Sequence, residues 1–304
     1  MVVAIIGPCH LSDVTLIAIG LLLMPYENFQ TFTVEVKGAV AWVTFDFPPV
    51  NVQGQQMLAD LNALAFRLEN DRSVKVVVFQ SANPDIWVCH YDTDLLKEMP
   101  TEAIARDEAE VLDLQAVCER MSKVPQATIA KLEGMARGGG HEFALALDMR
   151  FGARGKYKMM QMEVAMGILP CGGGASRMAR QAGLGRALEI CLSARDFDAD
   201  EAEAYGTINK ALDPDEIGPY VENLANRIAK WPAHSINATK KMVYESIDRP
   251  IVDALKAEAY WLYQATSHTP AVKRFTWAND EGAQFDLENQ KNWEKLVVQV
   301  QDVN

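Results

Sequence analysis

Three consecutive glycines followed by a carboxylate form the most chemically suggestive stretch of the chain. Gly138, Gly139 and Gly140 come after an apolar, β-branched stretch, and an apolar run over 143–147 follows them. This order predicts a strand, a glycine turn and a buried helix. Glycine allows a ligand to approach the backbone closely, and the first amides of a helix are unpaired and lie at its positive end. We therefore expect a site for a developing negative charge beside Glu142, although the same glycines would also suit a plain tight turn.

The surrounding pattern predicts the elements that hold this stretch. Strands are expected over 34–36 and 39–45, with a turn at Lys37-Gly38, and then over 74–79, 127–132 and 149–153. Helices are expected over 57–68 and 101–121, loops over 46–51 and 81–92, and helices only from residue 175 onward. Strands that alternate with helices indicate the α/β class with a substantially parallel sheet.

Composition excludes several classes of partner. The 304 residues carry a formal net charge of −12, which argues against binding to a nucleic-acid backbone. The five cysteines include no C-x-x-C pair, so neither a zinc ribbon nor a disulfide framework is expected, and a reducing cytoplasmic compartment fits best. No metal site is expected either.

The first 29 residues are predicted to lie outside the core. The apolar stretch over 1–24 contains no uninterrupted run of about 18 apolar residues, and no basic segment precedes it, so we expect no membrane span. We interpret 1–29 as an extension, or alternatively as a short element that packs on a partner subunit. The core with the active site is expected over 30–212, and a C-terminal helical region over 213–304.

Several motifs in order resemble one family. G-G-G-H-E over 138–142 is followed by Q-M-E over 161–163 and by G-I-L-P-C-G-G-G over 167–174. Together with S-A-R at 193–195 and G-T-I-N at 206–209, they resemble the crotonase, or enoyl-CoA hydratase/isomerase, superfamily. The resemblance covers roughly residues 30–286. It implies a crotonase-like ββα spiral core with a C-terminal helical trimerisation region, assembled as a homotrimer or a dimer of trimers.

The resemblance also implies a reaction. An acyl-CoA thioester carbonyl would lie between the backbone amides of Tyr91 and Gly139, which would stabilise an enolate. Glu142 would activate a water molecule, and Glu163 would deliver a proton to Cα. Because both glutamates are present, hydration of a 2-enoyl-CoA is favoured over double-bond isomerisation. Alternatively, either glutamate could be only a charge partner for a helix N-terminus. Coenzyme A would enter as part of the substrate, and no permanently bound cofactor is expected.

Further positions are implied to contact the substrate, and two of them depart from the family pattern. His90 stands where glycine is usual, and Met162 stands where proline is usual. His141 could face the acyl group or the core, and the neighbouring methionines could line an acyl pocket or be ordinary core. The expected substrate-binding set is Val50, Asn51, Cys89, His90, Gly138, His141, Met162 and Gly172.

Two alternatives to a hydratase stay open at this point. One is another crotonase-fold chemistry, namely an acyl-CoA hydrolase, a decarboxylase or a CoA-independent β-diketone C–C hydrolase. The other is a non-catalytic binding subunit.

Overall fold

Within residues 26–302, ten strands form two sheets. The computed structural model describes residues 26–302, apart from the side chains at 269, 270, 301 and 302. The strands are β1 (Phe32–Lys37), β2 (Val40–Phe45), β3 (Val76–Ser81), β4 (Ile86–Val88), β5 (Ala127–Leu132), β6 (Met135–Arg137), β7 (Met149–Ala153), β8 (Lys158–Met160), β9 (Phe197–Asp198) and β10 (Lys210–Leu212). One sheet has the order β1-β2-β3-β5-β7-β10, and the other has the order β4-β6-β8-β9.

The six-stranded sheet confirms the predicted class. β1 and β2 pair antiparallel around a turn at Gly38, whose φ of +61° is one that glycine adopts readily. The remaining pairs of this sheet, from β2–β3 to β7–β10, are parallel. The run over 76–79 is completely buried, as expected for a parallel strand that is covered on both faces.

The four-stranded sheet was not predicted. β4 lies inside the segment that we expected to be a loop over 81–92, and β9 and β10 contradict the expectation of helices only after residue 175. These strands have two or three residues each. A strand this short shows no alternation of apolar and polar residues, so the sequence carries no periodic signal for it.

Thirteen α-helices lie within residues 26–302. They are α1 (Gln55–Asn70), α2 (Thr93–Lys97), α3 (Asp113–Ser122), α4 (Gly139–Ala146), α5 (Gly174–Ala182), α6 (Leu184–Ser193), α7 (Ala199–Tyr205), α8 (Ile217–Ala229), α9 (Ala233–Ser246), α10 (Ile251–Thr266), α11 (Thr269–Asp280), α12 (Leu287–Lys291) and α13 (Trp293–Leu296). Short 3₁₀ turns cover Arg106–Glu108, Glu163–Met166 and Val297–Asp302. No helix in this part of the chain is long and apolar enough to cross a bilayer.

The predicted helix over 101–121 is only half right. α3 begins at Asp113, and the residues before it form an irregular segment with one 3₁₀ turn at Arg106–Glu108. All the residues over 101–112 are exposed. Their composition favours a helix, but an isolated helix is marginal in water without an apolar face packed against the core. This segment instead lies at the mouth of the cavity described below.

The core on one face of the large sheet holds α4 in place. Phe143 of α4 packs edge-on against Phe45 and Phe79 of the sheet, with ring centroids 6.2 and 5.5 Å apart. The indole of Trp87, from β4, stacks on the same ring at 6.2 Å. All four side chains are completely buried. This aromatic cluster fixes the start of α4, and hence the glycine turn, relative to both sheets.

The opposite face and the termini complete the molecule. α8 covers the other face of the large sheet, with Ile217 and Val221 packed against strands β2, β3 and β5. Of the extension that we predicted over 1–29, residues 1–25 lie outside the described residues, and residues 26–29 contact α1. Tyr26 donates a 2.8 Å hydrogen bond to Asp71 at the end of α1. Large apolar side chains of α10 are exposed in the single chain, among them Ile251, Val252, Leu255 and Tyr263.

Candidate active site

A cavity of about 610 Å³ opens at the N-terminus of α4. Most of its wall is apolar and comes from α2, the segment before α3 and the residues after β8. The polar groups in the wall are dominated by four carboxyl groups. The apolar lining comprises Leu95, Leu96, Met99, Val111, Leu112, Leu114, Met162, Met166, Ile168 and Leu169, and the acidic lining comprises Glu110, Asp113, Glu142 and Glu163.

The glycine turn brings one unpaired amide to this cavity. Gly138 has a φ of +46°, and a Cβ there would lie 2.8 Å from Oε1 of Glu163, so only glycine fits. Its own N–H donates to the Met160 carbonyl at 2.8 Å. Gly139 is the first residue of α4, where a helix leaves its N–H without an intrahelical acceptor. The Gly139 N–H donates to no acceptor within residues 26–302.

Tyr91 brings a second unpaired amide. Gln53 pairs with Tyr91 in a parallel bridge, through bonds from Gln53 N to the His90 carbonyl at 3.1 Å and from Asp92 N to the Gln53 carbonyl at 3.0 Å. This pattern directs both polar groups of Tyr91 away from Gln53. The Tyr91 carbonyl lies 2.8 Å from Nδ1 of His90, and the Tyr91 N–H has no acceptor in the described part of the chain.

The two unpaired amides lie close together. The Tyr91 nitrogen lies 3.2 Å from the place where a Cβ on Gly139 would stand. His90 does not need the freedom of a glycine, because the positive φ values outside glycine, within residues 26–302, occur only at Asn28, Asn51 and Ala194. Two unpaired N–H donors this close together in the wall of a mostly apolar cavity can stabilise an oxyanion.

Glu142 is held rigidly in the cavity wall. Its side chain is 3% exposed, and its Oε1 accepts hydrogen bonds from the backbone N–H groups of Gly172 and Gly174 at 2.7 and 2.8 Å. Burial raises the pKa of Glu142 to about 7, with a further contribution from the charge of Glu163, while the two backbone bonds oppose this increase. A Cβ on Gly172 would lie 2.5 Å from Glu142 Oε2, so the glycines after Pro170 make room for this carboxylate.

Glu163 faces the same cavity from the 3₁₀ turn that it begins. Burial raises its pKa, against the opposing influence of its own backbone N–H and of His90. Gln161 is buried beside it, and its amide nitrogen donates to both carboxylate oxygens of Glu163 at 3.1 Å when the amide is turned to suit its neighbours. The other end of that amide lies 3.4 Å from Nδ1 of His141. Gln161 therefore holds the Glu163 carboxylate in place. This contact compensates for the lack of a stiffening proline at Met162.

The structure brings seven of the expected site residues together and leaves five out of the cavity wall. His90, Tyr91, Gly139, Glu142, Met162, Glu163 and Gly172 line the cavity, whereas Val50, Asn51, Cys89, Gly138 and His141 do not. Gly138 is excluded because it lies directly behind Glu163 and His90. Val50 and Cys89 are half-buried in the two segments that Asn51 joins.

Asn51 and His141 have structural positions instead. Asn51 is buried, accepts from the Phe47 N–H at 2.7 Å and donates to the Trp87 carbonyl at 2.9 Å, so it ties its own loop to β4. His141 is fully buried in the core, where desolvation and the charge of Arg150 lower its pKa to about 3. His141 is therefore neutral and faces the core, which was one of the two orientations that the sequence left open.

Sequence reasoning missed part of the site. The assignment of 101–121 to one helix hid the contribution of Glu110, Val111 and Leu112 to the cavity wall. Gln161 could have been found from its place in the Q-M-E motif beside Glu163. No signal in the sequence distinguishes Gln53, whose side chain is buried directly beneath Gly139.

Comparisons with known proteins show the family to which the chain belongs. A family model described as enoyl-CoA hydratase/isomerase matches residues 35–295. The short-chain-enoyl-CoA hydratase of Clostridium acetobutylicum is 30% identical over 226 residues, which are 74% of this chain and 85% of that protein. The mitochondrial methylglutaconyl-CoA hydratase of Rattus norvegicus is 33% identical over 168 residues, 55% of this chain, and the match spans only about half of that relative, 52%.

A solved structure gives the same result. The "Enoyl-CoA Hydrates Subunit I" of Geobacillus kaustophilus HTA426 superimposes with a TM-score of 0.75 at 25% identity. The superposition covers 84% of this chain and 97% of that one. The layers and the C-terminal helices described above are therefore those of the crotonase fold.

Proposed function

Because the chain belongs to the enoyl-CoA hydratase/isomerase family, we propose that it adds water across the 2,3-double bond of a 2-enoyl-CoA thioester, or shifts such a bond. One observation carries this proposal. Two carboxyl groups with raised pKa values, Glu142 and Glu163, line the same cavity as the unpaired amides of Tyr91 and Gly139. Hydration needs a base, an acid and a site for a negative charge, and this cavity supplies all three.

The reaction follows from these positions. With the thioester carbonyl between the N–H groups of Tyr91 and Gly139, the β-carbon of the substrate would lie toward Glu142. Oε1 of Glu142 is occupied by the two glycine amides, so Oε2 is available to take a proton from water as its oxygen attacks the β-carbon. The electrons of the double bond move to the thioester oxygen. Each amide stabilises this enolate by a few kcal/mol. Glu163 then gives its proton to Cα.

The two carboxyl groups together must hold one proton at the start. Burial raises both pKa values, and the charge of Glu163 raises that of Glu142 further, to about 7, so removing the last proton from the pair becomes unfavourable below about pH 7. The reactive form has Glu142 ionised, which the N–H groups of Gly172 and Gly174 stabilise, and Glu163 protonated. Turnover transfers the proton from one carboxyl to the other, and exchange with water restores it.

The remaining expectations are proposals of the same kind. Coenzyme A would be part of the substrate, with no permanently bound cofactor. The exposed apolar side chains of α10 support assembly into a homotrimer or a dimer of trimers. We place the enzyme in the cytoplasm because its cysteines form neither a disulfide pattern nor a metal motif.

A spectrophotometric assay tests the hydratase. We expect crotonyl-CoA or a longer 2-enoyl-CoA to lose its conjugated absorbance, and Glu142→Gln to lower this rate at least about 100-fold. Glu222→Gln, at an exposed position on α8, is the matched control and should leave the rate unchanged. If Glu142→Gln turns over as fast as the unmodified protein, the role of Glu142 is wrong.

A second candidate is a CoA-independent C–C hydrolase that acts on a β-diketone. Within residues 26–302, Lys97 is the only Lys or Arg that lines the cavity, and it is bonded to Asp94 at 2.6 Å. The phosphates of CoA would find few cations of this chain there, whereas a β-diketone needs none. A titration with acetoacetyl-CoA separates the two candidates. A complex supports the hydratase, and no complex combined with cleavage of a β-diketone supports the second candidate.

A further inference from the structure

The side chain of Gln53 is an unpaired amide buried beside the anion site. It is completely inaccessible to solvent, and neither Oε1 nor Nε2 has a hydrogen-bond partner in the described part of the chain. A buried amide without partners costs about 1–3 kcal/mol, which a leucine of similar size would avoid. Unpaired buried groups are uncommon in native proteins, so this one calls for an explanation.

The position of that amide supplies one. A Cβ placed on Gly139 would overlap Gln53 Oε1, and the same point lies 3.2 Å from the Tyr91 nitrogen. In a helical backbone the N–H and the Cα–Cβ direction of a residue lie on the same side. The end of the Gln53 side chain therefore lies against Gly139, on the side of the backbone from which the Gly139 N–H projects and close to the Tyr91 nitrogen.

The backbone of Gln53 locks this arrangement. Its N–H donates to the His90 carbonyl and its carbonyl accepts from the Asp92 N–H. Gln53 therefore cannot move without displacing the segment that carries the Tyr91 amide. The residue after Tyr91, Asp92, is the N-cap of α2, and its side-chain Oδ1 accepts from the Asp94 N–H at 2.9 Å. The side-chain amide can still turn by half a rotation, which exchanges its oxygen for its nitrogen.

We propose that the Gln53 side chain is a third hydrogen-bond donor of the anion site, with its Nε2 directed at the oxygen that the Tyr91 and Gly139 amides hold. This inference rests on the proposed hydratase. No acceptor in the described part of the chain reaches the amide nitrogen. When negative charge develops on the thioester oxygen, a donor at this position stabilises that charge. A donor with this role must not be committed to a protein acceptor, which explains why the Gln53 amide is unpaired.

Gln53→Met tests the proposal, because methionine keeps the length of the side chain and removes its hydrogen-bonding groups. We expect kcat for hydration to fall by roughly 100-fold, with a smaller change in KM and an unchanged or higher Tm. A bound 2,4-dienoyl-CoA supplies a second signal, since its absorbance moves to longer wavelength when its carbonyl is polarised. That displacement should be smaller in the variant. Gln53→Leu repeats the measurement if the methionine variant does not fold.

Gln126→Met is the matched control. Gln126 is also a buried glutamine with an unpaired oxygen, but its nitrogen donates to the Leu68 and Asp71 carbonyls at the C-terminal end of α1, whereas Gln53 precedes the start of that helix. Its substitution should lower Tm and leave kcat unchanged.

The outcomes separate this inference from the function on which it rests. If Gln53→Met keeps the kcat and the absorbance displacement of the unmodified protein, the third donor is refuted and the hydratase stands. If the unmodified protein neither binds the dienoyl-CoA nor hydrates an enoyl-CoA, the proposed function fails and the third donor fails with it.

Discussion

Glu142→Gln should stabilise the folded protein in a pH-dependent way while it removes activity. The substitution keeps the shape of the side chain, and the new amide oxygen can still accept from the N–H groups of Gly172 and Gly174. What it removes is the charge. Because burial raises the pKa of Glu142 from 4.5 to about 7, the carboxyl contributes most to stability when it is protonated, and that contribution is lost as the pH rises toward 7.

The size of the effect follows from the pKa change. Each pKa unit corresponds to 1.36 kcal/mol, so a rise from 4.5 to about 7 means that ionised Glu142 costs roughly 3 kcal/mol in the folded state. The glutamine variant and the unmodified protein should therefore be equally stable near pH 4, where both side chains are neutral. Above pH 7 the variant should be more stable by up to roughly 3 kcal/mol, or roughly 5 °C in Tm for a chain of this size.

Thermal unfolding of both proteins across pH 4–9, together with the hydration assay at each pH, measures the two effects on the same samples. The Glu222→Gln variant should follow the unmodified protein throughout. A difference in Tm that does not change with pH would contradict the assigned ionisation. A variant less stable than the unmodified protein at pH 8 would show that the glycine amides require the negative charge, and the reasoning from burial would be refuted.

Three further predictions concern the same machinery. Gly172→Ala places a Cβ 2.5 Å from Glu142 Oε2, so we expect at least roughly a 10-fold loss of kcat with unchanged circular dichroism, and an active variant would show that the carboxylate can move. The kcat/KM of the unmodified protein should fall as the pH rises above about 7, because the carboxyl pair then loses its last proton, and a rate that climbs through pH 8 would contradict this order. Arg150→Met removes donors to the buried carbonyls of Thr207 and Leu147 at 2.7 and 2.6 Å, and should lower the free energy of unfolding by about 3 kcal/mol in urea titrations, whereas a loss below about 1 kcal/mol would show that water replaces the guanidinium.

The parts of the fold that could be predicted from sequence are those with a periodic or stereochemical signal. The Lys37-Gly38 turn, the buried strand that contains Val76–Phe79 and the helix after Gly138 each follow from local chemistry, and the structure has all three. The short strands β6 and β8 could not be predicted in this way, because three residues contain less than two repeats of the strand period. Their existence depends on pairing with one another.

The site shows the same division. The motifs identified Glu142 and Glu163, but whether two residues 21 positions apart face one cavity depends on how the turn over 167–174 packs. His141 and Asn51 were expected at the substrate, yet one is neutral in the core and the other ties a loop to β4. A polar residue type does not reveal whether its partner is a ligand or a backbone carbonyl. Gln53 is the converse case, since only its lack of a partner in three dimensions draws attention to it.

Two helices begin at the cavity, α4 at Gly139 and α5 at Gly174. The first amide of α4 is unpaired among the described residues, and the first amide of α5 donates to Glu142. These helix ends present partial positive charge to a wall in which, within residues 26–302, Lys97 is the only lysine or arginine, in a protein with a net charge of −12. Mobile ions screen exposed charges over about 8–10 Å, but Gly139 and Gly174 are buried. Added salt should therefore weaken the attraction of a charged ligand to exposed side chains more than its attraction to these backbone donors.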